Sequence, residues 1–102
     1  MTTAHVSHVI MLANSWKTMS EVRRTEIRRW LAMNGVRNRD VPIDTAVSIE
    51  ERPDGSWAIR YTSLVLDDTG RVMTDPADPD LIWQRERLTP LTIDPPVHWY
   101  QT

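Results

Sequence analysis

Val47-Ser-Ile-Glu-Glu-Arg-Pro-Asp-Gly-Ser-Trp-Ala-Ile-Arg-Tyr-Thr-Ser-Leu-Val-Leu66 sets the architecture. Two strand-like runs, 47–51 and 57–66, flank Arg52-Pro53-Asp54-Gly55-Ser56. In that linker Pro opens the turn with a fixed φ and Gly supplies its left-handed position. The stretch reads as a β-hairpin. Alternation along the second run puts Trp57, Ile59, Tyr61, Ser63 and Val65 on one face and Ala58, Arg60, Thr62, Leu64 and Leu66 on the other.

Upstream of the hairpin the period changes from two to 3.6. Between Thr18 and Gly35 there is neither Gly nor Pro. Thr18 and Glu21 have capping-box spacing, with Thr25 as a second possible cap, and Gly35 stands where a left-handed residue would end a helix. About four helical turns follow, with Met19, Val22, Ile27, Trp30 and Leu31 near one side and Glu21, Arg24 and Arg28 on the other. Before it, residues 6–12 form a short apolar run that periodicity leaves open between strand and helix.

Downstream, Asp67-Asp68-Thr69-Gly70 makes a second turn leading to a brief strand over Arg71, Val72 and Met73. Residues 74–80, with Pro76 and Pro79, read as an irregular loop. Strand-like composition resumes over 81–88 and 91–93. Pro90 places that strand at the sheet border, because it lacks a ladder donor. Pro95-Pro96 opens an extended tail, of which 97–102 is the end.

The expectation is therefore an α+β fold: one main amphipathic helix on a three- or four-stranded antiparallel sheet, ordered mainly as a meander. Trp30, Leu31, Ile27, Val47, Ile49, Trp57, Ile59, Tyr61 and Val65 are the candidate core. At 102 residues the chain supports a single domain, 1–102. It has no Cys, which excludes disulfides, thiolate metal sites and cysteine nucleophiles. No run approaches a membrane-spanning length, and no charged-then-apolar leader opens the chain. The implied setting is cytoplasmic, without a membrane partner.

Motifs that carry chemistry are sparse. His5 and His8 lack the rest of a zinc motif, and Pro76 and Pro79 interrupt an aspartate run that would otherwise suggest a hard-cation loop. No phosphate loop, nucleophile elbow or paired-carboxylate motif occurs, so the expectation is a non-catalytic chain without metal or cofactor.

Two features point to partners. The aromatic set is five Trp and two Tyr with no Phe. Trp16, Trp83, Trp99 and Tyr100 exceed what a small core readily buries, and Trp, Tyr and Arg anchor interfaces. Trp83, Trp99 and Tyr100 are thus the candidate partner-binding residues. They suit an accessory or regulatory protein that meets another chain or a second copy, with the 81–93 edge and the tail as the homodimer contact.

The second feature is charge. Residues 1–39 carry seven basic and two acidic side chains, residues 40–102 five and twelve. Arg24, Arg28, Arg37 and Arg39 are the candidates for an alternative reading as a nucleic-acid-binding regulator.

Glu26-Ile-Arg-Arg-Trp-Leu-Ala-Met-Asn-Gly-Val36 resembles a stretch in the DNA-binding end of Lsr2-like nucleoid proteins of actinobacteria. That family's Arg-Gly-Arg minor-groove hook is replaced here by Arg37-Asn38-Arg39. The wider layout after Thr25, a helix ending in Asn-Gly, then Asp40-Val41-Pro42, a hairpin, Asp68-Thr69-Gly70-Arg71 and an Asp-Pro loop, resembles small uncharacterised proteins of actinobacteria and their phages. That second resemblance implies no activity.

Overall fold

The computed structural model describes residues 6–100. His5, Gln101 and Thr102 lie outside them, as does the side chain of Tyr100. Seven elements follow in chain order: β1 (Val6–Met11), α1 (Glu21–Met33), β2 (Val47–Glu51), β3 (Trp57–Leu64), β4 (Thr74–Asp75), β5 (Asp78–Ile82) and β6 (Gln84–Pro90). The main sheet has the order β1-β2-β3-β6, every pair antiparallel, and β4 and β5 form a separate two-stranded ribbon. One helix covers one face of a four-stranded sheet, an α+β fold. The open question at residues 6–12 resolves as strand, because β2 offers a free edge on which Met11 pairs with Val47 and Val9 with Ser48.

The helix is shorter than its spacing suggested. Thr18 belongs to a 3-10 turn, Trp16–Thr18, where its hydroxyl donates to the Ser15 carbonyl (2.8 Å). The cap is Ser20, whose Oγ accepts from the Arg23 N–H at 3.1 Å, and Thr25 lies inside the helix. At the other end Gly35 adopts φ +85°. Its N–H donates to the Ala32 carbonyl and that of Val36 to Leu31, both at 3.0 Å, the Schellman arrangement that satisfies two end-of-helix acceptors. With this phase Ile27, Trp30, Leu31 and Asn34 point inward, while Val22, placed on the apolar side by its spacing, is 70% exposed. Val22 shares its stripe with the exposed Met33, eleven residues on.

The core joins Ile27, Trp30, Leu31 and Val36 to Ile10, Met11, Val47, Ile49 and Ile59 of the sheet, and Trp99 closes it. Two expected members are displaced. Trp57 opens β3 opposite Glu51 and is 41% exposed, and Val65, past the end of β3, is only half-buried.

Residues 65–83 depart from expectation more sharply. The 74–80 loop is ordered as β4 and part of β5, and Val72 of the expected 71–73 strand makes only one bridge, to Leu66. The expected strand over 81–88 is split at Trp83, with the part before it belonging to β5 and the part after it to β6.

The split has a backbone cause. Val65 N–H donates to the Trp83 carbonyl (3.0 Å), Trp83 N–H to Met73 (2.9 Å) and Met73 N–H to Val65 (3.0 Å), a closed ring of three hydrogen bonds from which the ribbon leaves the sheet. The ribbon and its flanks form an arm. The Cα radius of gyration is 14.7 Å, above the roughly 13 Å of a compact chain of this length.

Candidate partner-binding surfaces

The tail folds back on its own body. Trp99 is 5% exposed and meets the Trp30 ring edge-to-face at 5.5 Å between centroids. The Arg23 guanidinium lies 4.4 Å from its ring centre, and its Nε1 donates to Glu26 Oε1 at 3.3 Å. The indole thus finds both an apolar pocket and a partner for its N–H within the chain. This corrects the expectation that Trp99 is a partner-binding residue, since that ring is spent within its own chain. His98 Nε2 stands 3.0 Å from Glu26 Oε2. The hydrogen bonds from His98 and then Trp99 hold the Glu26 carboxyl below its ordinary value.

Asn34 ties the segment leading to that tail. It is 5% exposed, and its Nδ2 donates to the carbonyls of Trp30 (2.9 Å) and Ile93 (3.2 Å). Its Oδ1 accepts from the N–H groups of Thr92 (2.8 Å) and Ile93 (2.9 Å) and from the Thr92 hydroxyl. Trp30 Nε1 donates to the same Ile93 carbonyl at 2.8 Å. Asn-Gly signals a helix end, and nothing in the sequence marks this amide as a buried clamp.

The four candidate arginines gather on the helix side, Arg24 and Arg28 beside Trp16 and Arg37 and Arg39 beside Asp40. Arg24 donates from Nε and Nη2 to the Met19 carbonyl (3.3 and 3.0 Å), and its guanidinium is 5.9 Å from the Trp16 ring centre, with that of Arg28 at 5.4 Å. Asn38 anchors the following turn by donating to the Arg28 carbonyl at 2.8 Å. In that turn Arg37 and Arg39 lie 3.5 and 3.8 Å from the Asp40 carboxylate. An apolar hollow of about 120 Å³ beside them is lined by Trp16, Ile27, Leu31, Val41 and Ile43, with Arg28 among its walls.

Trp83 is half-buried at the foot of the arm, the Arg85 guanidinium 5.7 Å from its ring centre. Beyond it every residue of β5 is exposed, with Leu81 at 54% and Ile82 at 56%, and Val72 adds a third bare apolar side chain. β5 is paired on one side by the two residues of β4. Asp78, Pro79 and Asp80 guard its first half, as charge and a missing donor guard sheet edges, and leave Leu81 and Ile82 unguarded. Sequence reading placed these two residues inside a border strand of the main sheet.

The uncovered face of the sheet is polar at its centre. Arg60 donates to Glu50 from Nε (3.1 Å) and Nη2 (2.6 Å) and to Glu86 from Nη1 (2.9 Å), a three-strand ladder that holds the Glu50 carboxyl low. Among the described residues no group of three His, Cys, Asp or Glu is placed to hold a metal, and no helix is long and apolar enough to cross a membrane. No family model, curated protein or solved structure matches the chain.

Proposed function

We propose that this chain is a non-catalytic protein-interaction module of an accessory or regulatory kind, which engages another chain or a second copy through its arm. The observation that carries the reading is the pairing state of β5, a short strand bonded on one side and bare at Leu81 and Ile82. Such a strand can extend a partner's sheet through its backbone while its apolar side chains fill a groove. Trp83 at the base supplies a large ring already held by Arg85.

Self-association through β6 is a weaker route. A continuous antiparallel sheet across a two-fold axis sets identical faces together, so registers centred on Arg85, Glu86 or Arg87 each align like charges. In β5 a register centred on Leu81 sets Asp80 against Ile82 and aligns no like charges.

The test compares the wild-type chain with Leu81→Asp/Ile82→Asp, by sedimentation for self-association and by capture from the native host followed by mass spectrometry. The variant should lose the larger species or the retained partner while keeping its circular dichroism spectrum. Identical masses and identical retained proteins would sink the idea.

The nucleic-acid reading keeps one supporting observation, that Asn38 draws the Arg37–Arg39 turn against Arg28. A gel shift with duplex DNA at low salt decides it, since phosphate contacts weaken steeply with salt. No shift at low salt removes this second reading.

A further inference from the structure

Helix α1 ends at Met33 and Gly35 turns the chain away, so the helix covers β3 near Ile59 but not its second half. On that inner face Tyr61 stands opposite Arg87, and Ser63 opposite Arg85. Apolar side chains only border the gap, Leu64 and Leu66 among them. The chain leaves a cleft of about 280 Å³ lined by Arg37, Asp40, Tyr61, Ser63 and Arg87, with Gly35 at its rim and no heavy atom within 4 Å of where a Gly35 Cβ would stand. That volume falls just below the roughly 300–1,000 Å³ of small-molecule sites, room for a ligand group more than for a large molecule.

The donors in the cleft come from three separate segments and are not saturated. Arg37 approaches Asp40 at 3.5 Å, longer than the roughly 2.7–2.9 Å of a charge-assisted hydrogen bond. Arg87 is exposed and has no carboxylate partner among the described residues. The Tyr61 hydroxyl makes no hydrogen bond among them either. Ser63, 6% exposed, donates only to the neighbouring Leu64 carbonyl at 3.1 Å. Asp40 is opposed by Arg39 as well as Arg37, so Arg87 leaves the neighbourhood cationic in a chain whose net charge is −2.

We infer that this cleft binds a phosphate group, free or as a monoester, held by Arg37 and Arg87 with the Tyr61 hydroxyl as a third donor. A carboxylate presents two oxygens in one plane, which a single guanidinium fork can engage together. A phosphate monoester presents three terminal oxygens and free phosphate four, arranged tetrahedrally, which suits donors that arrive from the turn after α1, from β3 and from β6. No residue of β5 lines the cleft, which meets the arm only at its root through Leu66, so phosphate binding is read separately from docking by β5.

The test is an amide NMR titration of the full chain with inorganic phosphate, O-phosphoserine and acetate at fixed ionic strength. The expected result is saturable shifts at Gly35, Ser63 and Arg87 with phosphate, and the tighter of the two phosphate probes names the source. Arg87→Gln and Arg37→Gln should each weaken binding about tenfold and Tyr61→Phe about threefold. Arg52→Gln, on the hairpin turn, should leave it unchanged. Absence of saturable shifts, acetate binding as tightly as phosphate, or equal affinity in Arg87→Gln and Arg52→Gln would each overturn the assignment. All three cleft variants alter exposed or half-buried groups, and retention of the wild-type amide spectrum confirms that they fold.

Discussion

The helix-covered body and the much shorter arm are built to opposite ends. Every buried Ile, Val, Leu, Met and Trp of the described chain lies in residues 10–59 or is Trp99, whereas residues 66–82 carry Val72, Leu81 and Ile82 in the open. Stability therefore resides where α1 meets β1, β2 and the start of β3, and recognition is free to reside elsewhere. Segments with few buried contacts are also those that open first and tolerate change best.

Variants that separate the two regions differ in size of effect. The largest belongs to Trp30, which is fully buried, packs on Trp99 and donates to Ile93. Trp30→Ala should cost about 3–5 kcal/mol and leave little folded protein at room temperature, read from urea unfolding. Deleting residues 97–102 removes the Trp99 plug and should lower the melting temperature by roughly 5–15 °C. Because that plug is internal, the mass in solution and any partner binding should not change. A fall in mass would return the tail to the interface. Asn34→Ala should cost about 1–3 kcal/mol, since it leaves the Thr92 and Ile93 N–H groups without their acceptor, and amide exchange should rise first in residues 91–94.

Smaller still is the acid dependence of the tail latch. The Glu26 carboxyl is held below its ordinary 4.5 by His98 and Trp99, so its contribution is complete above that value and is lost as pH falls through the lowered one. Melting temperature should therefore decline below about pH 4.5, and Glu26→Gln should flatten that decline. The smallest effect on stability belongs to Leu81→Asp, within about 0.5 kcal/mol because the residue is already in water, even though this change should abolish docking. A large loss of stability there would show that the arm packs on the body after all.

Legibility in the sequence followed the same division. The hairpin at Arg52–Ser56, the helix and its Gly35 stop, and most of the sheet core were readable because each rests on local sterics and periodicity. The departures came where distant groups compete. Thr18 lost the cap to Ser20 because a 3-10 turn took its hydroxyl, and Val22 faces outward because its place in the 3.6-residue period sets it on the side of the helix opposite the buried Leu31. Trp99 looked like surplus aromatic area until Trp30, Arg23 and Glu26 were brought to it across more than 65 residues of sequence. The Asp-Pro run reads as irregular because two prolines deny ladder donors, but a ribbon edge needs donors on one side only. As for candidate sites, arginine clustering was visible along α1, while the meeting of Arg37 with Arg87 depends on the register of β6 against β3, which no local pattern encodes.

The ring joining Val65, Met73 and Trp83 has a consequence for how this protein can change over generations. All three bonds use main-chain groups, so any non-proline residues could form the ring, and the sheet registers below it do not depend on what lies between. Residues 66–72 and 74–82 are in effect two cassettes hung from a fixed clasp. Their length and composition can be rewritten to suit a new partner while the helix and four strands keep their places, which makes the clasp a natural graft point for an engineered binding loop.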